Sequence, residues 1–129
     1  KNNVLINEIN KVTVPWSINI IAADAIIQGL KEKDYINNSI KYVKDEKEYL
    51  YRALKEIQVL KVLKPSVNFI MFKLLIDLDL KGELIKRKIL IRSCSNYIGL
   101  NENFYRIAVR TSEENKIIIN EIRNILFDK

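Results

Sequence analysis

The chain contains no histidine, one cysteine, three glycines and two prolines among its 129 residues. Without histidine, the chain cannot supply a Ser-His-Asp or Cys-His nucleophilic site, or a zinc site with histidine ligands. The single cysteine, Cys94, excludes an internal disulfide and any paired-cysteine redox or zinc motif, and it is typical of a reducing compartment. We therefore expect a cytoplasmic location, no metal site, and a thiol that serves as a small buried hydrophobic group.

Long apolar runs are also missing. The most apolar helical segment, residues 18–30, contains Asp24 and Gln28, so no stretch approaches the roughly 20 apolar residues of a membrane span. Hydrophobic residues make up 48% of the chain and charged residues 29%, which is typical of one soluble globular domain. The net charge of +6 comes from lysines dispersed among acidic residues, which favours a solvated surface over a nucleic-acid partner. We expect neither a membrane nor a nucleic-acid partner.

The hydrophobic pattern predicts two helices before the first strand. Residues 1–15 are predicted to be an irregular interdomain segment. A helix is predicted to begin at Trp16, which we expect to anchor it in the core, and to end near Gly29. A longer helix follows Asp34, because an apolar stripe at helical spacing runs over residues 36–57. We expect this stripe to pack on a sheet.

The second half of the chain predicts a small sheet. Residues 67–76 form an apolar run that is too short for an exposed helix, which indicates a strand buried on both faces. The elements that follow are a short helix over residues 82–88, a strand over 89–92, a polar loop over 93–103, an alternating strand over 104–110 and a last helix that begins at a Thr111–Glu114 capping box. The sequence thus predicts an α+β, two-layer small domain whose three- to four-stranded, mainly antiparallel sheet is covered on one face by helices.

Arginines on the predicted strands form the strongest candidate site. Arg92 ends one strand, Arg106 and Arg110 share one face of the next, and the loop between carries Asn96 and Tyr97. Guanidinium groups bind carboxylate or phosphate through paired hydrogen bonds, and a strand holds them rigidly. Ordinary surface ion pairing with Asp or Glu is the alternative. The residues by themselves predict an anion site without a catalytic base.

Four segments, in order, resemble one enzyme family. Residues 15–19 (PWSIN) are similar to the PWSVN-type segment of histidinol-phosphate aminotransferases and their relatives. Residues 64–72 (KPSVNFIMF), 89–100 (ILIRSCSNYIGL) and 105–115 (YRIAVRTSEEN) resemble their PSxxNFxLF, ILxRxCSxYxGL and YRxAVRxxEEN segments. Residues 16–129 therefore resemble the small C-terminal domain of a fold-type I, pyridoxal-phosphate-dependent enzyme of aminotransferase class I/II. The CSNY segment and Arg110 resemble the L-threonine-phosphate decarboxylase branch of cobalamin biosynthesis, whereas histidinol-phosphate aminotransferases usually have glycine at the latter position.

This resemblance implies a role for each candidate residue. Arg106 would grip the substrate's carboxylate or another anionic group, and Arg92 would be a second anion ligand across the loop. Arg110 would complete a phosphate-and-carboxylate pocket, or else simply pair with Glu113 or Glu114, and Asn96 and Tyr97 would shape the loop.

The resemblance also implies what lies outside the chain. Pyridoxal phosphate would be bound by a larger upstream domain that holds the Schiff-base lysine, so we expect the isolated chain to be inactive. The parent would be a homodimeric lyase that decarboxylates a phosphorylated amino acid to aminopropanol phosphate, or an aminotransferase. The arginines would orient the substrate, and this orientation would determine which bond at Cα breaks and hence which of the two reactions occurs.

Two other classes of protein remain as alternatives. A stand-alone small-molecule-binding regulatory module would also combine a small sheet, helices on one face and an anion pocket, but ferredoxin-like modules begin with a strand. An RNA-binding sheet would display aromatic side chains on its open face, and the predicted face of Arg106, Ala108 and Arg110 has none between the ends of that strand.

Overall fold

The computed structural model describes residues 2–14 and 16–127, which form five helices and four strands. In chain order these are α1 Asn3–Val12, α2 Ile20–Gly29, α3 Lys33–Lys55, β1 Leu60–Val62, β2 Phe69–Leu74, α4 Leu80–Lys86, β3 Arg92–Ser93, β4 Phe104–Ala108 and α5 Ser112–Phe127. The chain divides into two compact units, Lys1–Asn37 and Asn38–Lys129. Over the described ranges, every helix is either too short or too polar to cross a membrane.

Helix α1 lies where the sequence predicted an irregular segment, so that prediction is wrong for residues 3–12. Asn2 caps the helix, because its side-chain oxygen accepts a hydrogen bond from the Leu5 N–H at 3.2 Å and satisfies a free first-turn donor. No residue of α1 is buried. Lys1 and Pro15 lie outside the described residues, and the interdomain role of residues 1–15 remains a prediction.

Helix α2 begins later than predicted. Asn19 is its N-cap, with its side-chain oxygen 2.8 Å from the Ala22 nitrogen, and the helix ends at Gly29 as predicted. Trp16 precedes the helix with a φ of 66° and is 98% exposed. The prediction that Trp16 is a core anchor is wrong, because its left-handed backbone leaves it outside the first helical turn.

The second unit contains a four-stranded sheet in the order β1-β2-β4-β3, in which all neighbouring strands are antiparallel. Side chains of β2 alternate, so that Ile70, Phe72 and Leu74 are fully buried while the residues between them are half-buried. The prediction that this strand is buried on both faces is therefore wrong, since helices cover only one of them. The other face stays open.

The hydrophobic core lies between the covered face and the helices. Tyr105 and Ile107 of β4 add to the β2 side chains, as their predicted alternation indicated. The helices contribute Leu50 and Leu54 of α3, Leu80 and Leu84 of α4, and Ile119 and Ile122 of α5. The predicted two-layer α+β fold is confirmed, although the α3 stripe is buried only near its C-terminal end, and Ile40 is 63% exposed.

Several element boundaries differ from the predicted ones. Helix α4 begins earlier, because Asp79 caps it by accepting the Gly82 N–H at 3.0 Å, and β1 was not predicted. Strands β3 and β4 occupy Arg92–Ser93 and Phe104–Ala108 instead of residues 89–92 and 104–110. The capping box is confirmed: Thr111 Oγ1 accepts the Glu114 N–H at 3.4 Å, and the Glu114 carboxylate accepts the Thr111 N–H at 3.3 Å.

Candidate functional site

Arg92 and Arg106 stand directly opposite each other on neighbouring strands. They are Cα partners in the antiparallel β3–β4 ladder, so both side chains leave the same face of the sheet. That face is the open one, because Tyr105 and Ile107, on either side of Arg106 in the chain, are buried in the core. Like charges placed directly across a ladder destabilise a sheet unless something compensates them.

No protein carboxylate supplies that compensation within the described ranges. The ion pairs found there involve other cations, and none includes Arg92 or Arg106. The Arg106 guanidinium carbon lies 5.0 Å from the ring centroid of Phe69, its diagonal neighbour on β2. This cation–π contact holds the guanidinium group over the open face. The pair is therefore suited to an anion that comes from outside the fold.

A cleft of about 660 Å³ adjoins this pair where β2 begins and β4 ends. All three predicted arginines, Arg92, Arg106 and Arg110, contribute to its lining. Its size is in the range of small-molecule sites. The structure thus brings the three arginines to one concave surface.

Three polar residues of the cleft, Asn68, Lys88 and Asn115, were missed by the sequence interpretation. Lys88 lines it as a further cation, and Asn68 lines it at the start of β2. Lys88 was assigned to the short helix, but it has a φ of 64° and follows the end of α4. Asn68 belongs to the KPSVNFIMF segment, which was interpreted as part of a strand and as a family motif but not as part of the site. The position of Asn68 within the family motif was a sequence signal that could have identified it as a site residue. No sequence pattern identified Lys88.

Arg110 differs from the other two arginines because it has a carboxylate partner. Its Nε and Nη2 donate to the two oxygens of Glu114 at 3.2 and 2.9 Å. This guanidinium, together with the Thr111 hydroxyl, lowers the pKa of the Glu114 carboxyl to about 2. The ion pair with Glu114, which the sequence left open as an alternative for Arg110, is therefore present, and Arg110 also lines the cleft. A role in substrate binding remains a prediction for this residue.

The Arg110–Glu114 pair predicts an acid-dependent contribution to stability. The pKa of Glu114 lies below its ordinary value of 4.5, so the stabilisation is present above that pH and is lost as the pH falls towards 2. We expect Glu114→Gln to flatten the decline of the unfolding free energy over this window, measured by urea denaturation. Glu113→Gln leaves the pair in place and should keep the wild-type slope. Equal slopes in wild type and Glu114→Gln would contradict this assignment.

Cys94 follows β3 and is fully buried, which confirms that it packs as a small hydrophobic group. Burial raises the pKa of its thiol, while the charges of Arg106 and Arg92 lower it. Burial has the larger effect, so the thiol is not activated.

Asn96 and Tyr97 lie in the turn after Cys94. The Tyr97 N–H donates to the Cys94 carbonyl at 3.0 Å, and the Tyr97 carbonyl accepts the Leu100 N–H at 3.1 Å. Both side chains are exposed, and neither belongs to the described lining of the cleft. Their part in shaping the site remains a prediction.

Comparison with known proteins places these features in one family. The model of the family described as aminotransferase class I and II matches residues 2–122. The adenosylcobalamin biosynthesis bifunctional protein CobDQ of Leptospira interrogans is 41% identical over 96% of this chain and 15% of its own length. The threonine-phosphate decarboxylase of Salmonella typhimurium is 32% identical over 88% of this chain and 31% of its own.

A solved structure shows the same fold. The crystal structure of the histidinol-phosphate aminotransferase from Clostridium acetobutylicum matches 99% of this chain and 39% of that chain, with a TM-score of 0.80 and 29% identity. In each of these comparisons the chain spans less than half of the matched protein.

Proposed function

Because the chain belongs to the class I and II aminotransferase family, we propose that it is the substrate-anion-binding C-terminal domain of a longer, pyridoxal-phosphate-dependent enzyme. Residues 16–129 would form this domain, and residues 1–15 would lead into it from a larger cofactor domain. The observation that carries the proposal is the opposed pair of Arg92 and Arg106 on the open face of the sheet, beside the cleft.

The reaction we propose for the complete protein is the decarboxylation of L-threonine phosphate to aminopropanol phosphate. The similarity to a threonine-phosphate decarboxylase and to an adenosylcobalamin biosynthesis protein supports this choice. The substrate carries one carboxylate and one phosphate, and the arginines around the cleft offer charge and hydrogen-bond donors for both. In this arrangement Arg106 and Arg92 bind one of the two anionic groups of the substrate on the open face of the sheet. Arg110, beside Glu114, contributes to binding the other group.

Pyridoxal phosphate, when bound, supplies the electron sink for a bond broken at the substrate's Cα. The side chains of this cleft fit the anionic groups of a substrate better than the cofactor ring. In the enzymes that this chain resembles, an aspartate pairs with the pyridinium nitrogen. Glu114, the one carboxylate among the described lining residues, is already held by Arg110 and Thr111. The larger domain would hold the cofactor, and this chain would bind and orient the substrate.

The exposed apolar residues of the first unit support the proposal that a further domain covers this unit. Helix α2 has no buried residue, and Ile20, Ile21 and Leu30 are 85, 79 and 65% exposed. Such a concentration of exposed large apolar side chains in one short segment is typical of an interaction site. Contact with the cofactor domain, or with the second subunit of a homodimer, would remove this surface from water.

The experiment that tests the proposed function is an assay of the complete gene product loaded with pyridoxal phosphate. We expect carbon dioxide release from L-threonine phosphate by the complete protein and no turnover by residues 1–129 alone. Turnover by the isolated chain would contradict its assignment as a substrate-binding domain. A complete protein that binds the cofactor but releases no carbon dioxide would contradict the decarboxylase assignment.

Two alternatives predict different results, one in this assay and the other in the upstream gene sequence. The structural match to a histidinol-phosphate aminotransferase favours a transaminase, which would transfer the amino group of histidinol phosphate without releasing carbon dioxide. A stand-alone small-molecule-binding regulatory module would have an initiator codon just before Lys1 in the native gene. An upstream, in-frame segment with a Ser-x-x-Lys motif supports the enzyme.

A further inference from the structure

The segment that follows β4 is held by a single buried polar side chain. Asn115, in the first turn of α5, has no solvent exposure and is the one polar residue in the buried class among the described residues. Its side-chain oxygen accepts the Arg110 N–H at 3.0 Å, and its side-chain nitrogen donates to the Arg110 carbonyl at 3.0 Å. The side-chain amide thus pairs with both backbone groups of one residue, as a neighbouring strand would.

This pairing is needed because Arg110 lies beyond the last ladder residue of β4, Ala108. Backbone N–H and C=O groups that leave a sheet must find other partners, or they lose the free energy of a hydrogen bond. Asn115 supplies both partners at once. The backbone of Arg110 is consequently fixed even though the strand has ended.

Helix α3 in turn fixes Asn115. The side-chain nitrogen of Asn115 donates to the Glu46 carboxylate at 2.8 Å, a charge-assisted bond. Since an ionised carboxylate only accepts hydrogen bonds, Glu46 also determines which way the amide of Asn115 faces. About one helical turn earlier, the Tyr42 hydroxyl accepts the Ser112 N–H at 2.9 Å. Two residues of α3 therefore anchor the segment from Arg110 to Ser112.

The anchored segment forms part of the cleft wall. Arg110, Glu114 and Asn115 line the cleft together with Arg106. The Arg110 side chain is 63% exposed, and its guanidinium group is held by Glu114 at the surface of the cleft. The position of the Arg110 backbone, from which that side chain extends, is fixed by its two hydrogen bonds to Asn115.

We propose that Asn115, oriented by Glu46, is a positioning residue for the substrate-anion site: it fixes the backbone of Arg110 so that the guanidinium reaches an anionic group in the cleft. This inference rests on the proposed function, because it assigns the anion to a substrate. Asn115 acts through Arg110 and does not itself touch the reacting atoms.

The test is a double-mutant cycle in the complete protein, using Asn115→Ala, Arg110→Gln and their combination. We expect Asn115→Ala to raise the KM for L-threonine phosphate about tenfold, the effect of one weakened charge-assisted hydrogen bond, with kcat changed less than about twofold. In the Arg110→Gln background, Asn115→Ala should raise KM no further. Asn120→Ala, at an exposed position of α5, is the matched control and should leave KM unchanged.

A merely structural role for Asn115 would lower the melting temperature and the fraction of active protein without changing KM, and that result would overturn the inference. An equal rise in KM on both backgrounds would also overturn it. If Asn115→Ala does not fold, Glu46→Leu removes the same amide anchor and should raise KM in the same direction. An unchanged KM in a folded Glu46→Leu protein would count against the inference.

The affinity for inorganic phosphate, measured by calorimetry on the same proteins, separates this inference from the proposed function. If the wild type binds phosphate but does not turn over L-threonine phosphate, the decarboxylase assignment fails. A weaker affinity of Asn115→Ala, lost in the Arg110→Gln background, still supports the positioning role in that case. If the wild type turns over substrate and Asn115→Ala behaves identically, only the positioning role fails. If the wild type neither binds phosphate nor turns over substrate, both fail.

Discussion

Replacing Arg106 with glutamine in the complete protein is expected to lower kcat/KM for the phosphorylated amino acid by about 100- to 10,000-fold. Two charge-assisted hydrogen bonds to one anion contribute about 1.5–3 kcal/mol each, and the glutamine retains neither the charge nor the fork. Arg106→Lys should give a smaller loss, since a lysine keeps the charge but cannot bind an anion through two fixed donors. Steady-state kinetics over a range of substrate concentrations measures both effects.

A distant arginine provides the matched control for Arg106. Arg52 lies on α3, pairs with Glu48 at 2.6 Å and is 75% exposed, and it is not part of the described cleft lining. Arg52→Gln removes the same charge and should leave kcat/KM within about twofold of wild type, because the residue lies outside the described cleft lining. Loss of its exposed ion pair should lower the free energy of unfolding by only about 0–1 kcal/mol. Similar kinetics for Arg106→Gln and Arg52→Gln would contradict the assignment of Arg106 to the binding site.

The second large expected effect concerns the core that supports the site. Phe72 is fully buried on β2, opposite Tyr105, with the two ring centroids 6.0 Å apart. Phe72→Ala should lower the free energy of unfolding by about 3–5 kcal/mol, because it removes a large apolar group and leaves a cavity. Urea denaturation of the isolated chain, followed by circular dichroism, measures the change.

Phe127 provides the control for this experiment. It ends α5 and is 58% exposed, so Phe127→Ala should change the free energy of unfolding by about 0.5 kcal/mol or less. Equal effects of the two alanine substitutions would contradict the assignment of Phe72 to the hydrophobic core.

The elements that sequence predicted best are those whose signal is local. The alternation of Tyr105 and Ile107 and the Thr111–Glu114 capping box depend on residues within five positions of each other, and the structure has both. Helix α1 has Leu5, Ile9 and Val12 at helical spacing, so its signal was present in the sequence and was overlooked, although no residue of the helix is buried. Strand β1 has only three residues, which is too short for a visible period. The left-handed backbone of Trp16 follows no residue preference, because bulky residues rarely adopt it.

The candidate site was predictable only in its residue types. Sequence placed Arg92 and Arg106 on adjacent strands, but their direct opposition depends on the β3–β4 register, which a two-residue strand does not reveal. Lys88 enters the cleft because the chain turns after α4, and Asn115 becomes important because its partner Glu46 is 69 positions away in sequence. Such contacts are set by tertiary packing, and a single sequence carries no periodic signal for them.

A structure of the complete protein with L-threonine phosphate bound would show directly whether the arginine pair binds the substrate. We expect a carboxylate or phosphate oxygen about 2.7–2.9 Å from the Arg106 guanidinium, the distance of a charge-assisted hydrogen bond, with Arg92 beside it. We also expect Arg110 to lie against the same ligand. A ligand bound elsewhere, with Arg106 still stacked on Phe69 and in contact with no anion, would contradict the assignment of this cleft as the substrate-anion site.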